Sequence, residues 1–225
     1  MIACVLTGKN AHIWCNIYSM GKKREKELQI GLVVMASGLG KRFGGNKLME
    51  IVEGKPLIKW ILDSTENLFY KRIVVTRSAE VKALCDGLNI ECIIHEFPNR
   101  NDTVRLGLSA LIDDVDYCFF TPGDQPLIKR ESIIRLIDEA KNQQDKIVRA
   151  SFNNTVGSPV GFPKIYFSEL LNLPEGKGGN FIVKENPTNV HNVEVNDEYE
   201  LLDVDTVSDL EAIKMLERLS HGIQN

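Results

Sequence analysis

From residue 31 onward the chain alternates between two spacings of apolar side chains. Short runs at 31–36, 72–76, 90–95, 117–121, 147–151 and 190–195 are rich in the branched and aromatic residues that suit strands. Between them apolar positions recur every three or four residues, the spacing of a helix that buries one stripe. Leu57, Ile58, Ile61, Leu62 and Thr65 form one such stripe. Val104, Leu108 and Leu111 form a second, with Asp102 or Thr103 as its cap, and Ile133, Ile137 and Ala140 form a third. Near the end, Leu210, Ile213 and Leu216 predict a helix over 207–219, opened by the capping-box pair Thr206 and Asp209. Regular alternation of strand and helix predicts an α/β fold, a three-layer α/β/α arrangement whose central sheet is mostly parallel and covered on both faces. Crossovers of this kind are right-handed and gather ligands at the carboxyl ends of the strands. Loops that follow strands are therefore where chemistry is expected.

No repeat or linker splits residues 30–225, which read as one domain. Residues 1–29 lack a clean period and end in the charged run from Lys22 to Glu27, so they read as an appendage of unknown role. A length of 225 residues suits one sizeable α/β domain with a full core. The net charge of -4 argues against a nucleic-acid partner, which usually demands a basic face. It leaves room for a nucleotide ligand, because a few basic groups and backbone amides suffice to hold one. No apolar stretch approaches the ~20 residues of a membrane span, so no membrane partner is expected. The five cysteines contain no CxxC pair, and a reducing cytoplasm is the expected setting.

The first strand, Leu32-Val33-Val34-Met35-Ala36, runs directly into Ser37-Gly38-Leu39-Gly40-Lys41-Arg42-Phe43-Gly44-Gly45-Asn46-Lys47. Glycines let backbone amides approach a phosphate closely. Lys41, Arg42 and Lys47 add positive charge, and arginine can clamp phosphate oxygens through two parallel bonds. The dinucleotide pattern GxGxxG fails because Phe43 stands where the third glycine belongs. The P-loop pattern fails too, since Asn46 follows Gly45 in place of lysine. A strand-to-helix turn with incidental lysines is the alternative to a phosphate loop.

A second candidate follows the strand at 117–121, in Thr121-Pro122-Gly123-Asp124-Gln125-Pro126. An aspartate held between two prolines and a glycine offers a hard oxygen suited to magnesium, which commonly takes one or two carboxylates plus substrate phosphates. Its other reading is a turn whose aspartate caps the helix beginning near Lys129. Near the C-terminus, Asp203 and Asp205 put two carboxylates on one face of an extended segment, which helix capping does not explain. The histidines, His95 among them, match no catalytic partner by spacing, and no GxSxG elbow is present.

Met35-Ala36-Ser37-Gly38-Leu39-Gly40-Lys41-Arg42-Phe43-Gly44 with Lys47 resembles the signature loop of the MobA-like nucleotidyltransferases, relatives of molybdenum cofactor cytidylyl- and guanylyltransferases. The resemblance covers about residues 31–215 and implies a Rossmann-like, GT-A-like nucleotidyltransferase fold. It implies that Ala36, Ser37, Gly38, Leu39 and Gly40 wrap the nucleotide phosphates while Arg42 and Lys47 neutralise their charge. Gly123-Asp124-Gln125-Pro126 is similar to the cytidylyl branch, which makes Asp124 the principal magnesium ligand and a catalytic residue beside Arg42 and Lys47. Asp203-Val204-Asp205-Thr206 resembles the family's closing motif, by which Asp205 is the second magnesium ligand. The segment 101–108 resembles one that contacts base or ribose, implicating Thr103 and Arg105. Two stretches depart from the pattern and bear on the acceptor. Ser158, in Gly157-Ser158-Pro159-Val160-Gly161-Phe162, stands where an acceptor-side loop often carries histidine, and Glu175-Gly176-Lys177-Gly178-Gly179 replaces Gly-Asp-x-Gly.

The implied reaction is magnesium-dependent transfer of CMP from CTP to the phosphate of molybdenum-bearing molybdopterin, with a molybdoenzyme or its maturation chaperone as a further partner. Ser37 stands where the cytidylyl branch tends to have alanine and the guanylyl branch glycine. GTP is thus the alternative nucleotide, and a sugar or alcohol phosphate the alternative acceptor. A rival of another class, a module that binds nucleotide or cofactor without turnover, is opposed by the paired aspartates, since binding alone requires no metal site.

Overall fold

The computed structural model describes residues 27–38, 43 and 45–222, so most of the appendage lies outside the described residues. The chain runs β1 (Ile30–Ala36), β2 (Ile51–Val52), β3 (Lys55–Pro56), α1 (Leu57–Ser64), β4 (Lys71–Thr76), α2 (Ala79–Gly87), β5 (Glu91–Ile94) and α3 (Arg100–Leu111). It continues through β6 (Tyr117–Pro122), α4 (Arg130–Asn142), β7 (Ile147–Phe152), β8 (Thr155–Pro163), α5 (Phe167–Leu171), α6 (Asn180–Glu185), β9 (Val190–Glu194) and α7 (Val207–Gly222). Each of the six expected runs is a strand, and each apolar stripe lies on a helix.

The strands form one sheet in the order β5-β4-β1-β6-β8-β7-β9, in which only β8 runs antiparallel to its neighbours. β1 pairs in parallel with β4 on one side and β6 on the other. The chain thus leaves β1 in one direction and returns on its far side, and such a switch point opens a crevice beyond the strands' carboxyl ends. The two-residue period of β1 sorts the layers. Leu32 and Val34 face one cluster with Ile58 and Ile61 of α1, Val81 of α2 and Ile133 and Ile137 of α4. Val33 faces the other, with Val104 and Leu108 of α3, Phe167 of α5 and Ile182 of α6. A third cluster, Val52, Leu57, Val204, Leu210 and Ile213, docks the β2–β3 hairpin and α7 onto α1.

Three expectations need correction. Residues 157–162 are not a loop: they lie inside β8, between β6 and β7. Gly157, Pro159 and Gly161 hide that strand, because such residues are depleted in sheets. At Gly161 the cause is packing, since a Cβ there would lie 2.5 Å from the Tyr117 ring and 2.6 Å from that of Phe119. The second helical stripe is capped earlier than expected, at Asn99, and Asp102 acts from inside α3 by accepting a bond from the Asn99 amide at 3.3 Å. The strand expected at 90–95 is shorter, Glu91–Ile94. The capping box of α7 is present, with the Thr206 amide donating to Asp209 at 2.7 Å and the Asp209 amide to Thr206 Oγ1 at 3.2 Å. Among the described residues no helix is long and apolar enough to cross a membrane.

Candidate active site

A cleft of about 520 Å³ opens at the carboxyl ends of β1, β4, β5 and β6. Ser37 and Gly38, which follow β1, form one lip. The Ser37 hydroxyl donates to the Val75 carbonyl at 3.1 Å, and it lies 2.8 Å from His95 Nε2. With its one proton so used, Ser37 accepts from Nε2–H, which leaves Nδ1 as the bare ring nitrogen, buried and without a partner. Desolvation and then the Arg77 guanidinium push the His95 pKa down, which keeps the ring neutral. A Cβ on Gly38 would meet nothing within 4 Å, so packing does not demand glycine there. Its value is an uncovered backbone. Leu39, Gly40 and Arg42, expected to complete the loop, lie outside the described residues, as does Lys41.

Lys47 opens a short 3-10 turn and is buried. Its Nζ lies 2.5 Å from Asp124 Oδ2 and 3.3 Å from Asp205 Oδ1, and donates to the Val204 carbonyl at 2.6 Å. Burial works against its charge, but the Asp124 and Asp205 carboxylates outweigh it and raise its pKa. Asp124 is held by the turn that ends β6. The Gly123 amide donates to the Met35 carbonyl at 2.9 Å, and the Asp124 carbonyl accepts from the Val204 amide at 2.9 Å. Next to it the fully buried Gln125 sends its amide to the carbonyls of Ser158 at 2.8 Å and Glu200 at 2.6 Å. Gln125 is therefore a structural tie that aims Asp124. The helix-cap alternative for Asp124 fails, since the cap position of α4 is Lys129, whose amide is taken by Glu200 at 2.9 Å.

Asp203 joins this group. Its side chain reaches the cleft, but surrounding protein raises its pKa to about 6, with Asp124 and Asp205 pushing the same way against Lys47 and Arg100. The acidic run at 203–205 thus faces one end of the cleft, and Lys47 is its counter-charge. Thr103 is buried and lines the cleft from α3. Arg105 does not line it; it pairs with Asp102 at 3.1 Å and lies 5.6 Å from the Phe97 ring. Ala36 is buried behind the loop, its carbonyl accepting from Thr76 Oγ1 at 3.0 Å. Arg77, Phe97, Asn99 and Arg100 complete the wall. Sequence reasoning missed these four, although Arg77 directly follows β4 and the others follow β5, where the strand-end rule directs attention.

Asp124 and Asp205 share one ammonium, so their oxygens already converge on a single cationic point. That fits an ion completed by substrate phosphates. Among the described residues no group of three or more His, Cys, Asp or Glu stands at ligating distances, so the protein would supply only part of the coordination.

The family model of the MobA-like NTP transferase domain matches residues 32–193. A probable molybdenum cofactor guanylyltransferase from Aquifex aeolicus is 25% identical over 192 residues, 82% of this chain and 90% of that protein. A bifunctional GlmU protein from Pseudothermotoga lettingae is 33% identical over 141 residues, 59% of this chain; the matched stretch spans only 30% of that longer protein. Among solved structures, Rv0371c of Mycobacterium tuberculosis superimposes with a TM-score of 0.75 at 24% identity, over 83% of this chain and 98% of that one. The same protein complexed with manganese gives 0.69 at 22%, over 83% and 98%.

Proposed function

This chain belongs to the MobA-like NTP transferase family, a nucleotidyltransferase by that membership, and on that footing we propose that it transfers CMP from CTP to the phosphate of a molybdopterin-type acceptor, with magnesium. The observation that carries the reading is the convergence of Lys47, Asp124 and Asp205 at one end of a cleft whose lip is Ser37–Gly38. An acceptor phosphate oxygen bonds to the α-phosphorus while the bond to the β-phosphate's bridging oxygen breaks. Pyrophosphate leaves with the electron pair, and a dianionic acceptor has no proton to lose. Positioning and charge dominate such chemistry.

Asp124 and Asp205 would hold the ion, which supplies charge against the triphosphate and polarises a phosphoryl oxygen. The manganese complex of Rv0371c supports a divalent ion here. Lys47, freed in part from its carboxylates, is the nearest described cation to that point, and Arg42 is its proposed companion. Amides at Ser37 and Gly38, with Leu39 and Gly40, would bind phosphate. Thr103, on the inner wall, would contact base or ribose; Arg105 would act through Phe97, which it flanks. Free thiols at Cys85, Cys92 and Cys118 support the proposed cytoplasmic setting.

Cytidylyl transfer rests on the likeness of Gly123-Asp124-Gln125-Pro126 to that branch, whereas the Aquifex relative favours GTP. Pyrophosphate release is measured with molybdopterin, magnesium and either CTP or GTP. CTP is expected to turn over faster, and a strong GTP preference would reverse the base assignment. Asp124→Ala is expected to lower release at least about hundredfold while the melting transition persists. Unchanged release in that variant sinks the metal role.

A further inference from the structure

A second chamber of about 480 Å³ adjoins the cleft and shares Met35, Arg100 and Asp203 with it. Its floor is one face of the sheet. Phe120 of β6, Val160 of β8 and Arg149 of β7 are lateral partners in the registers, so their side chains rise on the same side. Phe181 and Lys184 of α6 form a wall, and the glycine run after Glu175 forms another. Within that run, Gly178 and Gly179 have no room for a side chain. A Cβ at Gly178 would sit 3.1 Å from Arg100 Nε, and one at Gly179 would sit 2.9 Å from the Phe162 ring. The glycines thus leave Arg100 standing where the two chambers meet.

Arg149 is unusually placed for a cation. It is half-buried, its Nε donates to Asn192 Oδ1 at 2.7 Å, and among the described residues no carboxylate pairs with it or with Lys184. Burial lowers its pKa with no acidic neighbour to oppose the shift. A guanidinium drawn out of water without a counter-charge costs stability unless an anion meets it. That anion is not the reacting phosphate, which must reach the α-phosphate beside Asp124. Arg149 lies two strands across from β6, roughly 10 Å away at the usual strand spacing, and at the level of Phe120, short of the turn that carries Asp124.

We propose that the second chamber seats an acceptor with two anionic ends: its reacting phosphate meets Arg100 at the junction, and a second anionic group at the far end of an apolar or planar body meets Arg149 and Lys184. The floor of Phe120 and Val160 with the Phe181 ring suits that body. This rests on the nucleotidyl-transfer reading for which phosphate reacts. It adds a requirement that a simple phosphomonoester does not meet.

The test titrates phenyl phosphate and para-carboxyphenyl phosphate, which differ only in the second anionic end, into the full chain by calorimetry. The carboxylated probe is expected to bind about tenfold more tightly, the scale of one charge-assisted hydrogen bond. Arg149→Gln is expected to bring that ratio to within about twofold, and Lys184→Gln to reduce it at least about threefold. A melting transition in each variant shows that it folds, and either variant alone suffices if the other does not. Equal affinities in the native protein, no binding of either probe at millimolar concentration, or an unchanged ratio in the folded variants overturns the proposal. Thermal stabilisation by CTP or GTP with magnesium is recorded in parallel. Loss of the probe preference with that stabilisation intact removes this inference alone, whereas absent stabilisation removes the transfer reading.

Discussion

At the scale of the residue, the site is organised by who neutralises whom. Lys47 stands between Asp124 and Asp205, and without it two carboxylates would face each other across a partly desolvated gap. An ammonium on a flexible stem can yield part of that role to a stronger cation. His95 shows the opposite economy, a buried imidazole kept neutral so that it can donate to Ser37 and steady the loop. Its folded pKa lies below the ordinary 6.5 because of burial and Arg77. The linkage sign follows: its contribution to stability is intact above 6.5 and is lost as the pH falls from there through the depressed folded value. Urea unfolding of native protein and His95→Gln between about pH 7 and about pH 5 is expected to show the native protein losing more stability than the variant as the pH falls. Parallel curves would remove the imidazole as the cause.

At the scale of the element, α3 carries the cleft's inner wall, and Gly107 lets it pack closely on Val33 and Val75. A Cβ at Gly107 would lie 2.4 Å from Val33 Cγ1, so glycine lets the helix lie close on β1. Arg100 and Thr103 ride on the same helix. Gly107→Ala is expected to cost about 1–3 kcal/mol in denaturant unfolding, the usual range for overpacking, and to reduce stabilisation by nucleotide. Adding Val33→Ala removes the obstructing methyls and is expected to recover part of both losses, a coupling that a double-mutant cycle reads directly. Additive losses would show that α3 is positioned by other contacts.

At the scale of the whole molecule, the two face clusters and the β2–β3–α7 cluster close around the cleft through apolar packing. The candidate ligands are already compensated by Lys47. Treatment with a chelator is therefore expected to stop pyrophosphate release while shifting the thermal midpoint by no more than about 2 °C, the effect of about 0.5–1 kcal/mol for a domain of this size. A collapse of the fold on chelation would mean that the metal is structural.

What the sequence determined by itself is what local periodicity and motif spacing can carry. The six apolar runs became strands, the stripes became helices, and the Thr206–Asp209 pair capped α7. The family resemblance grouped Lys47, Asp124 and Asp205, and the fold brings those three side chains together. Such features are legible because each depends on neighbours a few residues away or on a compact motif. The tertiary structure alone decided the rest. β8 forms despite Gly157, Pro159 and Gly161 because β6 and β7 supply its partners. Gln125 became a tie because Ser158 and Glu200 arrive from distant segments. Arg149 came to line the second chamber because the sheet order sets β7 two places from β6. Strand order and the partners of a buried polar group depend on contacts between segments far apart in the chain, and a single sequence carries no local trace of those.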